Sequence, residues 1–280
     1  MEPVAGGHID LHLSTDLVRG ILVEFIRDGV RTAGFKRGVL GLSGGVDSSL
    51  VAFLAAEALG PSELVGVIMP SGSSSDESRE DARLIGERLG IRTEVIDIAP
   101  MVEAHRAHGT DHDRLRLGNI MARERMIVLY DLSQRESALV LGTSNKTEIL
   151  LGYGTLFGDT ACAINPIGDL YKTQVWELAR AVGVPEKIVN KPPSADLWEG
   201  QTDEQELGFS YKEVDRLLYC MVDQRKSETE LRQLGFGQEF IVGVQKMIRR
   251  NQFKRRPPLV AKISARTTNV DFRYPREWGS

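Results

Sequence analysis

Hydrophobic residues along this chain follow two rhythms. Over 10–35, Leu11, Leu17, Val18, Ile21, Leu22, Phe25 and Ile26 recur at three-to-four spacing, the period of an amphipathic helix. Short apolar runs then appear at 39–42, 64–69, 93–98 and 138–141, the third interrupted by Glu94 and Asp97. Helix-forming segments lie between them at 47–59, 76–89 and 117–134. Gly60-Pro61 and Gly90 stand where the first two of these helices should stop. Strand alternating with helix predicts an α/β fold, a doubly wound, mostly parallel sheet flanked by helices in the Rossmann manner. From 171 onward the pattern is helical, at 171–182, 203–223, 227–234 and 237–252, punctuated by Pro192-Pro193 and Pro257-Pro258. The expected organisation is one unit over 1–280: a nucleotide-binding core at about 36–170, a helical C-terminal part at about 171–260 and an extended tail over 261–280.

Composition narrows the class. The 280 residues are 41% hydrophobic and 26% charged with a net charge of −4, so the chain as a whole does not attract nucleic acid or an anionic membrane. No apolar run approaches the ~20 residues of a membrane span. Cys162 and Cys220 are the only cysteines, which gives neither a disulfide framework nor a metal pattern. The first eight residues lack the basic and apolar regions of a signal peptide. A cytoplasmic protein is expected.

Chemistry concentrates in two places. The first is 39–49, where an apolar run ends in Gly41-Leu42-Ser43-Gly44-Gly45-Val46-Asp47-Ser48-Ser49 and a helical segment follows. Glycines let backbone N–H groups curl around an anion without Cβ clashes. The helix N-terminus adds partial positive charge, and Ser43, Ser48 and Ser49 add hydroxyls. Asp47 would repel a phosphate, but it suits a Mg²⁺ ion beside one. The loop should therefore hold a pyrophosphate with its metal. It is not a Walker loop, which needs a Lys-Ser/Thr pair.

The second place is 141–173, where Thr143, Ser144, Asn145, Lys146 and Glu148 crowd just past the fourth strand. In a parallel sheet that is again the carboxyl-end crevice. Glu148 there either shares a Mg²⁺ with Asp47 or is an N-terminal capping acid on a short helix.

SGGVDSS at 43–49, GTSNKTEILLGYGTLFGD at 142–159 and KPPSADLWEGQTDEQELG at 191–208 resemble the NAD synthetase family of the ATP pyrophosphatase superfamily. Asn119–Met126 and Lys254-Arg255-Arg256-Pro257 add to the resemblance, which spans roughly 15–260. It implies ATP-dependent amidation of deamido-NAD to NAD with ammonia, through an acyl-adenylate, releasing AMP and pyrophosphate. It implies that 41–48, Thr143, Lys172 and Ser194 contact ATP. By the same resemblance Asp47 and Glu148 hold Mg²⁺, and Asp47, Glu148 and Lys172 are the catalytic set. Asn119, Arg123, Asp159, Phe253 and Lys254 are then expected around deamido-NAD, and the family implies a homodimer.

Three positions depart from the pattern of many ammonia-dependent members. Leu156 stands where a Lys is usual, Phe253 where a His is usual, and Ala163 where an acid is usual. The chain enters the synthetase pattern almost at once, so free ammonia is the expected nitrogen source, with a glutaminase acting in trans as the alternative. Other ATP pyrophosphatases (tRNA-modifying or GMP synthetase-like) and a non-catalytic nucleotide sensor are the rival readings.

Two further features are weaker. His105, His108 and His112 have helical spacing, yet 104–114 is polar and contains Gly109. A loop over the surface or substrate is expected there rather than a metal site. Six basic residues fall within 246–256, which suits a phosphate-gripping lid or a solvated helix end better than a nucleic-acid patch. The serines of 71–75 either line the adenine pocket or form a turn.

Overall fold

The computed structural model describes residues 9–72, 75–108, 113–194, 202–268 and 271. Within them the four apolar runs form parallel strands β1 (Arg37–Gly41), β2 (Leu64–Ile68), β3 (Arg92–Val95) and β4 (Ala138–Val140). Their order is β3-β2-β1-β4. β1 thus lies between β2 and β4, with Val39 opposite Val65 on one side and Val140 on the other. The chain moves outward from β1 through β2 to β3, then returns to add β4 on β1's other edge. The resulting switch point, between the carboxyl ends of β1 and β4, is where open α/β sheets bind ligands.

Successive side chains of a strand point to opposite faces, and both faces here are apolar. Leu40, Leu42, Leu64, Ile68 and Leu141 pack under α1 (Thr15–Thr32), α2 (Val46–Leu59), α3 (Asp76–Leu89) and α7 (Lys172–Val182). Val39, Val65, Val67 and Val140 pack against Met121, Val128 and Leu132 of α5 (Arg114–Glu136). Burial on both sides is why β1, β2 and β4 read as continuous apolar runs rather than alternating ones, whereas the edge strand β3 is largely exposed. A third cluster surrounds Tyr171 and Tyr211. It joins α6 (Lys146–Leu151) to the C-terminal helices α10 (Tyr211–Leu218), α11 (Glu228–Gln233) and α12 (Gln238–Arg250).

The structure corrects several expectations. On α1 the core face is Val23, Ile26 and Val30, while Leu17 and Ile21 are 62% and 56% exposed. The helix expected over 203–223 is broken into α9 (Asp203–Leu207), α10 and a π turn at Tyr219–Asp223. Gly208 ends α9 in the left-handed conformation, and Ser210 opens α10 with a capping box to Glu213, so two local signals overrode one long period. Residues 104–107, read as loop, belong to α4 (Ala99–Ala107), which starts with Pro100 in its first turn, a favourable place for proline. His105 Nε2 there pairs with Glu124 Oε1 at 2.8 Å. A short helix α8 (Glu186–Val189) was not foreseen. His112, Ser73, Ser74, Ala195, Asp196 and the tail over 272–280 lie outside the described residues.

Leu40 on the central strand is fully buried. Leu40→Ala should lower the unfolding free energy by about 2–5 kcal/mol, which urea denaturation would read as a lower midpoint.

Candidate active site

β1 ends at Gly41, and the chain turns through Ser43-Gly44-Gly45 into α2. Gly44 has φ +77°, and a Cβ on it would lie 2.3 Å from the Ser78 carbonyl oxygen of α3. The loop therefore packs against α3 at a contact only glycine permits. Its hydroxyls knit it from within. Ser48 Oγ accepts the Ser43 N–H at 3.2 Å, the Ser43 and Ser48 hydroxyls are 3.0 Å apart, and Ser49 Oγ donates to the Gly45 carbonyl at 2.8 Å.

Asp47, in the first turn of α2, meets two other elements. Asn145 Nδ2 donates to Asp47 Oδ1 at 2.9 Å, and the Lys172 ammonium donates to Asp47 Oδ2 at 2.5 Å. Glu148 completes the group, with Oε1 lying 3.5 Å from Lys172 Nζ. Its other oxygen accepts the Asn145 N–H at 3.1 Å while the Asn145 side chain accepts the Glu148 N–H at 3.0 Å. This reciprocal capping box opens α6. The capping reading of Glu148 thus holds for one oxygen, and the other faces Lys172.

Lys172 is 2% exposed, and a buried ammonium must be paired. Burial pulls its pKa down, but Asp47 and Glu148 outweigh that and hold it above the ordinary lysine range. Burial and the Asp47 carboxylate push the Glu148 carboxyl up to about 8 against the pull of Lys172. Asp203 adds a third carboxylate to the same cavity and is held by the hydroxyls of Tyr153 and Tyr211, each at 3.0 Å. Three carboxyl groups thus share one ammonium on this floor. Asp47 and Glu148 are hard oxygen donors of the type that suits Mg²⁺, which takes one or two protein carboxylates and fills its shell with phosphate and water, although in this arrangement both face the Lys172 ammonium.

Above the group opens a cavity of about 790 Å³. Of the residues expected at ATP, Gly41, Leu42, Ser43, Gly45, Val46, Asp47, Ser48, Thr143, Lys172 and Ser194 line it; Gly44 stands behind the wall. Of those expected at deamido-NAD, Asn119, Asp159 and Lys254 line it. Thr155 joins the first two, its hydroxyl donating to Asn119 Oδ1 at 2.8 Å and its N–H to Asp159 Oδ1 at 2.7 Å. Lys254 Nζ is clamped by the carbonyls of Gly152 and Gly154 at 2.8 and 2.7 Å.

The structure does not bring Arg123 or Phe253 into this cavity. The Arg123 guanidinium donates outside it to the Leu156 carbonyl, and Phe253 is 59% exposed. Sequence reasoning missed Asp203, Tyr153, Arg125 and Lys191 among the lining residues. Lys191 bridges to Ser78 and Asp81 on α3, both at 3.1 Å. All four lie within segments that carry the family resemblance (119–126, 142–159 and 191–208), which marked the segments but not these side chains.

The NAD synthase family pattern matches residues 18–258. The chain belongs to the NAD synthase family. It is 56% identical over 269 residues to an NH(3)-dependent NAD(+) synthetase of Trichlorobacter lovleyi, covering 96% of this chain and 98% of that protein. It is 49% identical over 255 residues to one from Fusobacterium nucleatum, covering 91% and 98% of the two chains. Among solved structures, the NH3-dependent NAD synthetase of Campylobacter jejuni superposes with a TM-score of 0.78 at 33% identity, covering 89% of this chain and all of that one. An NMN synthetase of Francisella tularensis superposes with a TM-score of 0.81, also at 33% identity, covering 90% and 100%.

In this chain, Gly44→Ala meets both a positive φ and the backbone carbonyl oxygen of Ser78. The substitution should cost about 1–2 kcal/mol for the backbone conformation alone and displace the loop. Calorimetric titration should then find ATP binding weakened about tenfold or more, since about 1.4 kcal/mol is tenfold.

Proposed function

We propose that this chain is an ammonia-dependent NAD synthetase, a ligase that amidates deamido-NAD at the expense of ATP. The observation that carries the reading is the Asp47–Lys172–Glu148 cluster beneath the Ser43–Gly45 loop, at the switch point of the sheet. A cavity of about 790 Å³ beside it falls in the upper part of the usual range for small-molecule sites.

A carboxylate is a poor electrophile, so nicotinate must be activated before ammonia can attack. Its oxygen attacks the α-phosphorus of ATP, the α–β bond breaks, and pyrophosphate leaves with its electron pair. Ammonia then attacks the acyl carbon, AMP departs, and one proton is lost. The N-terminus of α2 and the loop hydroxyls receive the pyrophosphate. Lys172 keeps Asp47 and Glu148 together against their mutual repulsion and has a third N–H for a phosphate oxygen. Asn119, Thr155, Asp159 and Lys254 orient the dinucleotide. Asp47 and Glu148 would hold Mg²⁺, which supplies charge neutralisation at the phosphates. Catalysis is positioning and electrostatics.

Arg123 and Phe253, outside the cavity, belong in this reading to the part of the dinucleotide site completed near a homodimer interface. Leu115, Ile127 and Tyr130 of α5 are exposed, apolar surface that a second copy would cover. Free thiols at Cys162 and Cys220 suit a reducing cytoplasm. Among the described residues no helix is long and apolar enough to cross a membrane.

The test is NAD formation from ATP, Mg²⁺ and deamido-NAD, with ammonium compared against glutamine. NAD with ammonium alone is expected. Pyrophosphate without NAD would point to a glutaminase partner, and no pyrophosphate under either condition would overturn the synthetase reading. Asp47→Asn should reduce kcat about 10²–10³-fold.

A further inference from the structure

A buried carboxylate outside the chemistry ties two elements of the site together. Asp215, on α10, is 0% exposed. Its Oδ1 accepts the Thr147 hydroxyl at 2.6 Å and its Oδ2 accepts the Thr173 N–H at 2.8 Å. Thr147 Oγ1 in turn accepts the Lys172 N–H at 3.1 Å. Thr147 is the neighbour of Glu148 in α6, and Lys172 and Thr173 open α7. The first N–H groups of a helix have no partner within it, and here Thr147 and Asp215 take two of them. The chain thus fixes the start of α7 against the residue next to Glu148.

A second set of bonds brackets the same junction. Lys146, preceding Thr147, reaches Asp223 at 2.8 Å, and the hydroxyl of Tyr171, preceding Lys172, donates to the same carboxylate. Both ties run from α6 and α7 into the helical C-terminal part. Burying a carboxylate is costly, and an apolar pair of the same shape would hold two helices together without that cost. What an apolar pair cannot do is fix backbone N–H groups in direction.

We infer that Asp215, acting through the Thr147 hydroxyl, is the positioning residue that sets Lys172 against Glu148 for turnover. The assignment rests on the synthetase reading above. Neither side chain lines the cavity, so their loss should act on the rate rather than on dinucleotide binding.

The experiment compares the unaltered chain with Thr147→Val, Thr147→Ser and Asp215→Asn by steady-state NAD formation with ammonium. Thr147→Val keeps the shape, removes the hydroxyl and strands the Lys172 N–H. Its kcat should fall about 100-fold, the scale of a roughly 1 Å misplacement, with KM for deamido-NAD unchanged within about twofold. Thr147→Ser, which keeps the hydroxyl, should restore kcat to within about threefold. Asp215→Asn should lose kcat similarly, and the double variant Thr147→Val/Asp215→Asn should be no slower than the worse single one, as groups acting as one unit behave. A wild-type kcat in folded Thr147→Val overturns the assignment. So does a serine variant no better than valine, or losses that multiply in the double variant. Should Thr147→Val fail to fold, Asp215→Asn against Thr147→Ser carries the same test. An unaltered chain that releases no pyrophosphate and forms no NAD would sink the synthetase reading, whereas a wild-type rate in the variants sinks this assignment alone.

Discussion

The site depends on one buried lysine. Lys172 carries a positive charge where water barely reaches, and an unpaired ammonium there would be untenable. Asp47 and Glu148 supply the pairing. Each comes from the end of a different strand, and Lys172 itself opens a third element. The geometry of the sheet, the loop after β1, the cap of α6 and the start of α7 must all agree for the charges to meet. Removing one partner from such a group leaves an uncompensated buried charge, which is far costlier than losing a surface ion pair.

Around that cluster, residues that hold shape also line the cavity. Glu148 caps α6 with one oxygen and faces the cavity with the other. Asn145 bridges Glu148 to Asp47 through both ends of its amide. Lys254 is clamped by carbonyls in the segment after α6, so the C-terminal helices reach the cavity through the element that carries Glu148. The helical C-terminal part is in this sense the splint of the α/β core's reactive edge, and its third hydrophobic cluster supplies the stiffness.

The parallel sheet, the Ser-Gly-Gly loop and the crowding after β4 were legible because each is a local pattern with a physical cause. Continuous apolar runs mark strands buried on both faces, and glycines mark the tight turn. The Gly208 stop and the Ser210–Glu213 cap were equally local, but a long helical period masked them. Leu17 and Ile21 fitted the helical period of α1 and yet lie exposed, because periodicity cannot say which side of a wide apolar stripe meets the core. Tyr211 and Asp215 left no mark at all, and Asp203 was marked only as part of the 191–208 segment. Their roles arise from contacts across the fold, and nothing in a window of sequence tells a buried Asp from a solvated one. The placement of Arg123 and Phe253 outside the cavity could not be read from motif matches either, since a motif fixes neighbours in sequence and not the direction a side chain takes.

The strand order has a consequence in time as well as in space. Asp47 lies 98 residues from Asn145 and 125 from Lys172 in sequence, and it meets them only because β4 returns to the edge of β1. Pairings of such long range form slowly and late. While the chain is being made, the Ser-Gly-Gly loop and α2 emerge long before their counter-charges exist. Until α7 has followed β4 into place, Asp47 is a solvated acid at the mouth of an unfinished crevice. The charge cluster can therefore assemble only once β1, β4 and α7 have come together, and a ligand that needs it can reward only the completed topology.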